Sequence, residues 1–281
     1  MKKLFAVLFV SVSVLLLAAC GSSEGSAAED GLGDSKEIKV GATSVPHAEV
    51  LQKAKPILEE QGITLEIEEY QDYILPNQDL SEGRIDANYF QHIPYLNAQK
   101  AEHDFDFSNL GGIHIEPMGI YSKNIKKLDE IEKGTEVIMS RSVADHGRIL
   151  SLLEREGLIK LDENVDKVDA TVDDIVENPK ELKFSAGVDA ANLPQNYKLE
   201  EEALVAINTN YAIEADLNPS EDALILEGSE SPYVNVIAAK SINKDAEALN
   251  TLVEVLRSEE IQTFIKEEYK GAVVPVDGTT E

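Results

Sequence analysis

The stretch EIKVGATSVPHAEVLQKAKPILEEQGITLEIEEY, residues 37–70, decides the fold. Glu37 to Ala42 alternates toward one apolar face (Ile38, Val40), the period of a strand. Ser44 suits a helix N-cap, and Pro46 suits the first turn, where its missing N–H costs nothing. Val50, Leu51, Ala54, Ile57 and Leu58 then recur at helical spacing, and Gly62 ends that helix. Thr64 to Tyr70 alternates again through Leu65 and Ile67. The order is β-α-β, for which parallel pairing and a right-handed crossover are the default.

The same alternation continues. A short helix is expected at Pro76–Gly83, a strand at Ile85–Phe90, and a helix from Pro94 to about His103. Ile113–Tyr121 is apolar with a Pro-Met-Gly interruption, and the basic stretch Lys123–Lys127 is a candidate crossing into a second unit. That unit opens with a strand at Glu136–Met139 and a helix at Gly147–Glu156. Short strands are expected at Val165–Ala170 and Leu182–Ser185, a strand at Ala203–Asn208, a helix near Tyr211–Ala215 and a strand at Tyr233–Ala239. A last helix spans about Asp245–Lys270. Strands and helices alternating through two units indicate an α/β fold, with ligands expected at strand carboxyl ends or between the units.

The leader is equally legible. Met1-Lys2-Lys3 is a basic head, and Leu4–Ala19 is apolar apart from Ser11 and Ser13. At about 16 residues this core is short for a bilayer span, which needs roughly 20, so it reads as an export signal. Leu17-Ala18-Ala19-Cys20 resembles a bacterial lipobox, which implies cleavage before Cys20 and lipid on its thiol. Residues 20–35 are rich in Gly, Ser, Ala and acid and are expected to be a flexible tether.

Cys20 is the single cysteine, so no disulfide can form within the chain. The formal charge of −28 argues against nucleic acid and against direct docking on an anionic membrane. The densest chemical cluster is Asp86–Leu96. Phe90, His92 and Tyr95 sit there at a strand end and helix start, and they suit either an apolar, polarizable ligand or a packed core. Asn208, Asn235 and Arg148 stand near other element ends; an arginine there can hold a carboxylate bidentately or face solvent. His92, His103 and His114 recur at intervals of eleven, but without a close histidine pair no metal is expected. No Gly-x-Ser-x-Gly and no phosphate loop is present, so no enzymatic activity and no cofactor are expected.

Nearly end to end, the chain resembles the NlpA family of methionine-binding lipoproteins, the substrate-binding subunits of ABC importers. The matching segments are Val40-Gly41-Ala42 with Pro46-His47-Ala48-Glu49, Tyr70–Asn77, Asp86–Leu96, Gly157–Leu161, Glu177-Asn178-Pro179, Leu193-Pro194-Gln195, Ile207–Ala212 and Ser231-Pro232-Tyr233-Val234-Asn235. The resemblance implies a two-lobed, type II binding-protein fold with ligand in the cleft. It divides the chain into a signal (1–19), a lipidated tether (20–35), lobe 1 (36–121 plus 230–281) and lobe 2 (122–229). It also implies that Tyr73, Phe90, His92 and Tyr95 line a thioether pocket, that Arg148 holds the α-carboxylate, and that Asn208 and Asn235 contact the head group. The implied partners are methionine, an ABC permease with its ATPase, and the membrane through Cys20 lipid. A monomer on the extracytoplasmic face is expected. The loop Ser140–His146 departs from the family's Asn-Asp-x-x-Asn type and adds a charge at Arg141. The ligand therefore stays open among L-methionine, D-methionine, a methionine-containing peptide and another amino acid. A metal receptor and a surface adhesin are the remoter alternatives.

Overall fold

The computed structural model describes residues 31–228 and 230–276. The expected signal segment and Cys20 lie outside the described residues.

The strands are β1 (Glu37–Thr43), β2 (Thr64–Tyr70), β3 (Ala87–His92), β4 (Phe107–Ile115), β5 (Gly119–Tyr121), β6 (Glu136–Ser140), β7 (Lys160–Leu161), β8 (Ile175–Glu177), β9 (Lys183–Val188), β10 (Leu204–Ile207), β11 (Ile225–Leu226), β12 (Val234–Lys240) and β13 (Val274–Pro275). They form a six-stranded sheet, β13-β4-β12-β3-β1-β2, a five-stranded sheet, β11-β5-β10-β6-β9, and the small pair β7-β8. In the first sheet β1 pairs in parallel with β2 and β3, and β12 runs antiparallel between β3 and β4. In the second, β6 is parallel to β10 and β9, while β5 is antiparallel to β10.

Helices cover both faces of each sheet. The helices Glu49–Glu60, Glu247–Leu256 and Glu259–Tyr269 bury Leu51, Leu58, Leu252 and Ile265 against one face of the first sheet. Leu80 and Leu96 pack on the other. In the second sheet the helix Val143–Arg155 buries Ile149, Leu150 and Leu153 on one side, and Leu193 and Ala212 close the other. Strands buried on both faces lose the alternation of a half-exposed strand, and all six residues of β3 are buried.

The chain passes between sheets twice, at 116–118 after β4 and again between β11 and β12. The strand 119–121 therefore belongs with the second sheet, so the first crossing precedes the expected boundary at 121/122 and lies ahead of the basic stretch 123–127. The Pro-Met-Gly interruption marks it. At the N-terminus the docked chain starts before residue 36. Leu32 packs on the first core, and its N–H donates to Asn243 Oδ1 at 2.7 Å.

Three local expectations change. The α-helix Glu49–Glu60 is preceded by a π-helical turn, Ser44–Ala48, which carries Pro46 and is kinked at Val45, extended ahead of the proline (φ −120°, ψ 137°), and Ser44 is not its N-cap. The expected last helix is two helices, broken at Arg257-Ser258. Val165–Ala170 forms no strand. Its backbone instead lies over the helix Val143–Arg155, where a Cβ on Gly147 would sit 2.1 Å from Lys167 O and 2.4 Å from Val168 O. Gly147→Ala should therefore cost about 1–3 kcal/mol or more through overpacking, read as a lower urea midpoint at unchanged slope. An unchanged midpoint would mean that 167–168 moves away freely.

Candidate functional site

The end of β3 and the helix that follows it build one wall. His92 caps the helix Ile93–His103, with its Nδ1 accepting the Tyr95 N–H at 3.1 Å. That bond leaves the proton on Nε2, which meets Asp145 Oδ1 at 3.1 Å. Tyr95 donates its hydroxyl to Tyr73 O at 2.9 Å. Tyr73, Phe90, Tyr95 and Tyr211 form an aromatic cluster, with Tyr73 5.9 Å from Phe90, 6.1 Å from Tyr95 and 5.1 Å from Tyr211 between ring centroids.

The opposite wall comes from the second sheet. Asp145 and Arg148 share a face of the helix Val143–Arg155. Asn208 and Asn210 follow β10, while Asn235 lies in β12 of the first sheet, paired with His92. Arg148 donates to Glu116 O at 2.8 Å and to the Glu227 carboxylate, and its guanidinium carbon lies 4.4 Å from the Tyr233 ring centroid. Asp145 Oδ2 accepts the Asn208 Nδ2–H at 3.3 Å. Burial alone would raise the Asp145 carboxyl, but His92, Arg148 and Asn208 together hold it below the usual carboxylate range.

All seven expected residues, Tyr73, Phe90, His92, Tyr95, Arg148, Asn208 and Asn235, line one cavity between the two sheets. Gln91, Glu116, Asp145, Thr209 and Asn210 complete it. The residues sequence reasoning missed are mainly the charged partners, Glu116, Asp145 and Glu227. Their signal was faint, since acids are plentiful throughout this chain. In the loop 140–146, Arg141 pairs with Asp189 at 2.6 Å, about half exposed and away from the cavity. The loop residue that reaches the cavity is Asp145.

Three buried polar atoms of the lining have no protein partner: Arg148 Nε, Asn208 Oδ1 and Asn210 Nδ2. Two are donors and one is an acceptor. Leaving such groups unpaired costs about 1–3 kcal/mol each, so the cavity suits a small ligand carrying both an anionic and a donor group.

Beneath the cavity Glu116 is shared. His47 Nε2 lies 3.0 Å and His114 Nε2 2.8 Å from its Oε1, while Oε2 accepts the Asn210 N–H at 3.1 Å. Behind the imidazoles, Thr43 meets His47 Nδ1 at 2.7 Å and Tyr89 meets His114 Nδ1. His92, His103 and His114 do not converge. The potential metal-ligating group among the described residues is instead His47, His114 and Glu116, with ligand atoms within 4.8 Å of one another. Both hydroxyls can donate to Nδ1, and both Nε2–H groups then donate to the carboxylate.

Residues 38–277 match the family model described as NlpA lipoprotein. This chain belongs to the NlpA lipoprotein family. Among curated NlpA-type relatives, it is similar to the methionine-binding lipoprotein MetQ of Bacillus subtilis (strain 168), 45% identical over 98% of this chain and 99% of that protein. It is also similar to the D-methionine-binding lipoprotein MetQ of Escherichia coli (strain K12), at 37% over 97% of each. Two solved structures are alike in fold. A nutrient-binding protein from Burkholderia cenocepacia bound to methionine has a TM-score of 0.80 at 38% identity, covering 85% of this chain and 99% of its own. A periplasmic substrate-binding protein of an ABC transporter from Coxiella burnetii has a TM-score of 0.80 at 37% identity, covering 85% and 100%. The fold is thus that of the MetQ-type periplasmic binding proteins.

Burial would raise the Glu116 carboxyl, but His47 and His114 overcome this and hold it well below the usual range. Burial pushes His114 below its ordinary 6.5, partly offset by Glu116. Both folded values are depressed, so both groups stabilise the fold above their unfolded values and lose that contribution as pH falls. Stability should decline first below about 6.5 as His114 resists protonation, then further below about 4.5 through Glu116. Urea melts from pH 3.5 to 7.5 should show a shallower acid limb in Glu116→Gln. An identical limb would remove Glu116 from the linkage.

Proposed function

We propose that this chain captures methionine outside the membrane and delivers it to an ABC permease, with the ligand held in the cavity between the sheets. The observation that carries this reading is the pairing of unpartnered polar atoms with an aromatic wall. The unpaired Nε–H of Arg148 suits an α-carboxylate, and Asn208 Oδ1 suits an α-ammonium, with Asn235 beside them. Tyr73, Phe90, His92 and Tyr95 then enclose the thioether. Burying that side chain contributes about 1.5–3 kcal/mol, and each sulfur–aromatic contact about 0.3–1.5 kcal/mol. Charge-assisted bonds to the carboxylate add about 1.5–3 kcal/mol.

The carboxylates of the site are hydrogen-bonded, and the Thr209 hydroxyl donates to Pro117 O. Similarity to binding proteins of ABC transporters supports a binding role for the chain itself, with the permease's ATPase supplying the energy. We take it to be a monomer, its 36–121 and 230–281 segments forming one lobe and 122–229 the other, apart from the strand at 119–121. Lipid on Cys20 holds it at the extracytoplasmic face.

Ligand-stripped, refolded protein should bind L-methionine at a single site in calorimetric titration. D-methionine and a methionine-containing dipeptide, run alongside, rank the stereochemistry and size. Phe90→Ala should weaken methionine about 10-fold or more while barely changing alanine; equal losses would take Phe90 out of the side-chain pocket. No binding of any of the three by well-folded protein would overturn the reading. In cells, Cys20→Ser should move the protein from the membrane to the soluble fraction. Retention would assign the anchor to the apolar leader instead.

A further inference from the structure

Asn210 is only 1% exposed, and it is held from lobe 1 at two points. Its backbone N–H donates to Glu116 Oε2 at 3.1 Å, and its Oδ1 accepts the Tyr73 hydroxyl at 2.5 Å. The orientation of an amide follows from its partners. The Tyr73 hydroxyl keeps its proton, since burial pushes it well above its ordinary range, and that proton needs an acceptor. A separation of 2.5 Å also belongs to O–H···O rather than N–H···O bonds. The amide oxygen therefore faces Tyr73, and Nδ2 is turned away, buried, unpartnered and in a residue that lines the cavity.

Tyr73 stands on the loop between β2 and the helix Leu75–Ser81, in the first lobe, where Tyr95 grips its carbonyl. Asn210 follows β10, in the second. We propose that Asn210 binds the ligand's carboxylate through Nδ2, and that Tyr73 is the positioning residue that turns this nitrogen toward it when the lobes meet. The inference rests on the cavity being an amino-acid site. Its consequence is a carboxylate requirement built into closure. Without an acceptor, closing the cleft leaves a buried N–H unpaired, which disfavours the closed form. A ligand carboxylate removes that penalty and so stabilises the closed form selectively.

The test compares L-methionine with L-methioninol, which carries a hydroxymethyl group in place of the carboxylate. Both are titrated into wild type, Tyr73→Phe, Asn210→Ala and the double variant, with melting curves to verify folding. Asn210→Ala should reduce the preference for methionine over methioninol about 10- to 100-fold, and Tyr73→Phe about 2- to 10-fold. In the Asn210→Ala background, Tyr73→Phe should leave the preference unchanged. If the alanine variant fails to fold, the isosteric Asn210→Asp, which replaces the donor by an acceptor, should lose the preference at least as fully. Equal weakening of both ligands by Tyr73→Phe would reduce that residue to an aromatic wall and overturn the inference. So would an unchanged preference in the Asn210 variant while wild type still binds methionine. A wild type that binds neither ligand overturns the underlying reading of the cavity as well.

Discussion

The buried carboxylate of Glu116 is the constraint on which the rest of the site depends. It sits at the first residue after β4, where the chain leaves one sheet for the other. An unpaired carboxylate there would cost several kcal/mol of lost hydration. Two histidines of the first lobe and a backbone N–H of the second satisfy it. Its own carbonyl accepts from Arg148. One residue thus fixes the crossing, the arginine and the start of the helix bearing Asn210. The crossings are also tied to each other. Glu227, just past β11, accepts from both Arg148 and the Met118 N–H. Arg148 accordingly serves as a bolt through both connections, with its Nε left unpaired.

Charge has different consequences inside and outside. The surface carries many ion pairs, such as Lys133–Glu181 at 2.7 Å, both side chains 68% exposed. Pairs of that kind contribute about 0–1 kcal/mol and are screened by salt. The interior groups are few, but each one fixes the direction of another. Asp145 holds His92 with one oxygen and Asn208 with the other. With its Nδ2 committed, Asn208, a residue of the lining, keeps Oδ1 buried and unpaired. Donor and acceptor positions in the lining thus follow from the placement of buried carboxylates.

Much of the fold was legible in residues 37–70, because strand and helix periods switch there without ambiguity. The site was legible in part. Phe90, His92 and Tyr95 announce themselves by lying at a strand end before Pro94. Asn210 was visible within its motif but indistinguishable from a turn-forming asparagine. Glu116 and Asp145 were hidden by composition, since 53 acidic residues offer no contrast. His47 and His114 lie far apart in sequence, and only the adjacency of β1 and β4 across β3 and β12 gathers them. The Val165–Ala170 segment misled because its apolar residues serve to cover a helix.

In the proposed binding mode, closure and recognition use the same atoms. Among the hydrogen bonds that cross the cleft are His92 to Asp145, Tyr73 to Asn210, and Tyr211 to Gln71 O at 3.3 Å. Two of them end on lining residues that carry, or neighbour a residue that carries, a buried and unpaired polar atom. Each such bond alone is worth only about 0.5–1.5 kcal/mol net, too little to hold two lobes against their freedom to separate. A ligand that pairs the orphaned atoms raises the value of every bond in the set, because closing then leaves nothing buried and unsatisfied. Selectivity in such a cleft arises less from the size of the pocket than from the penalty of closing on the wrong head group.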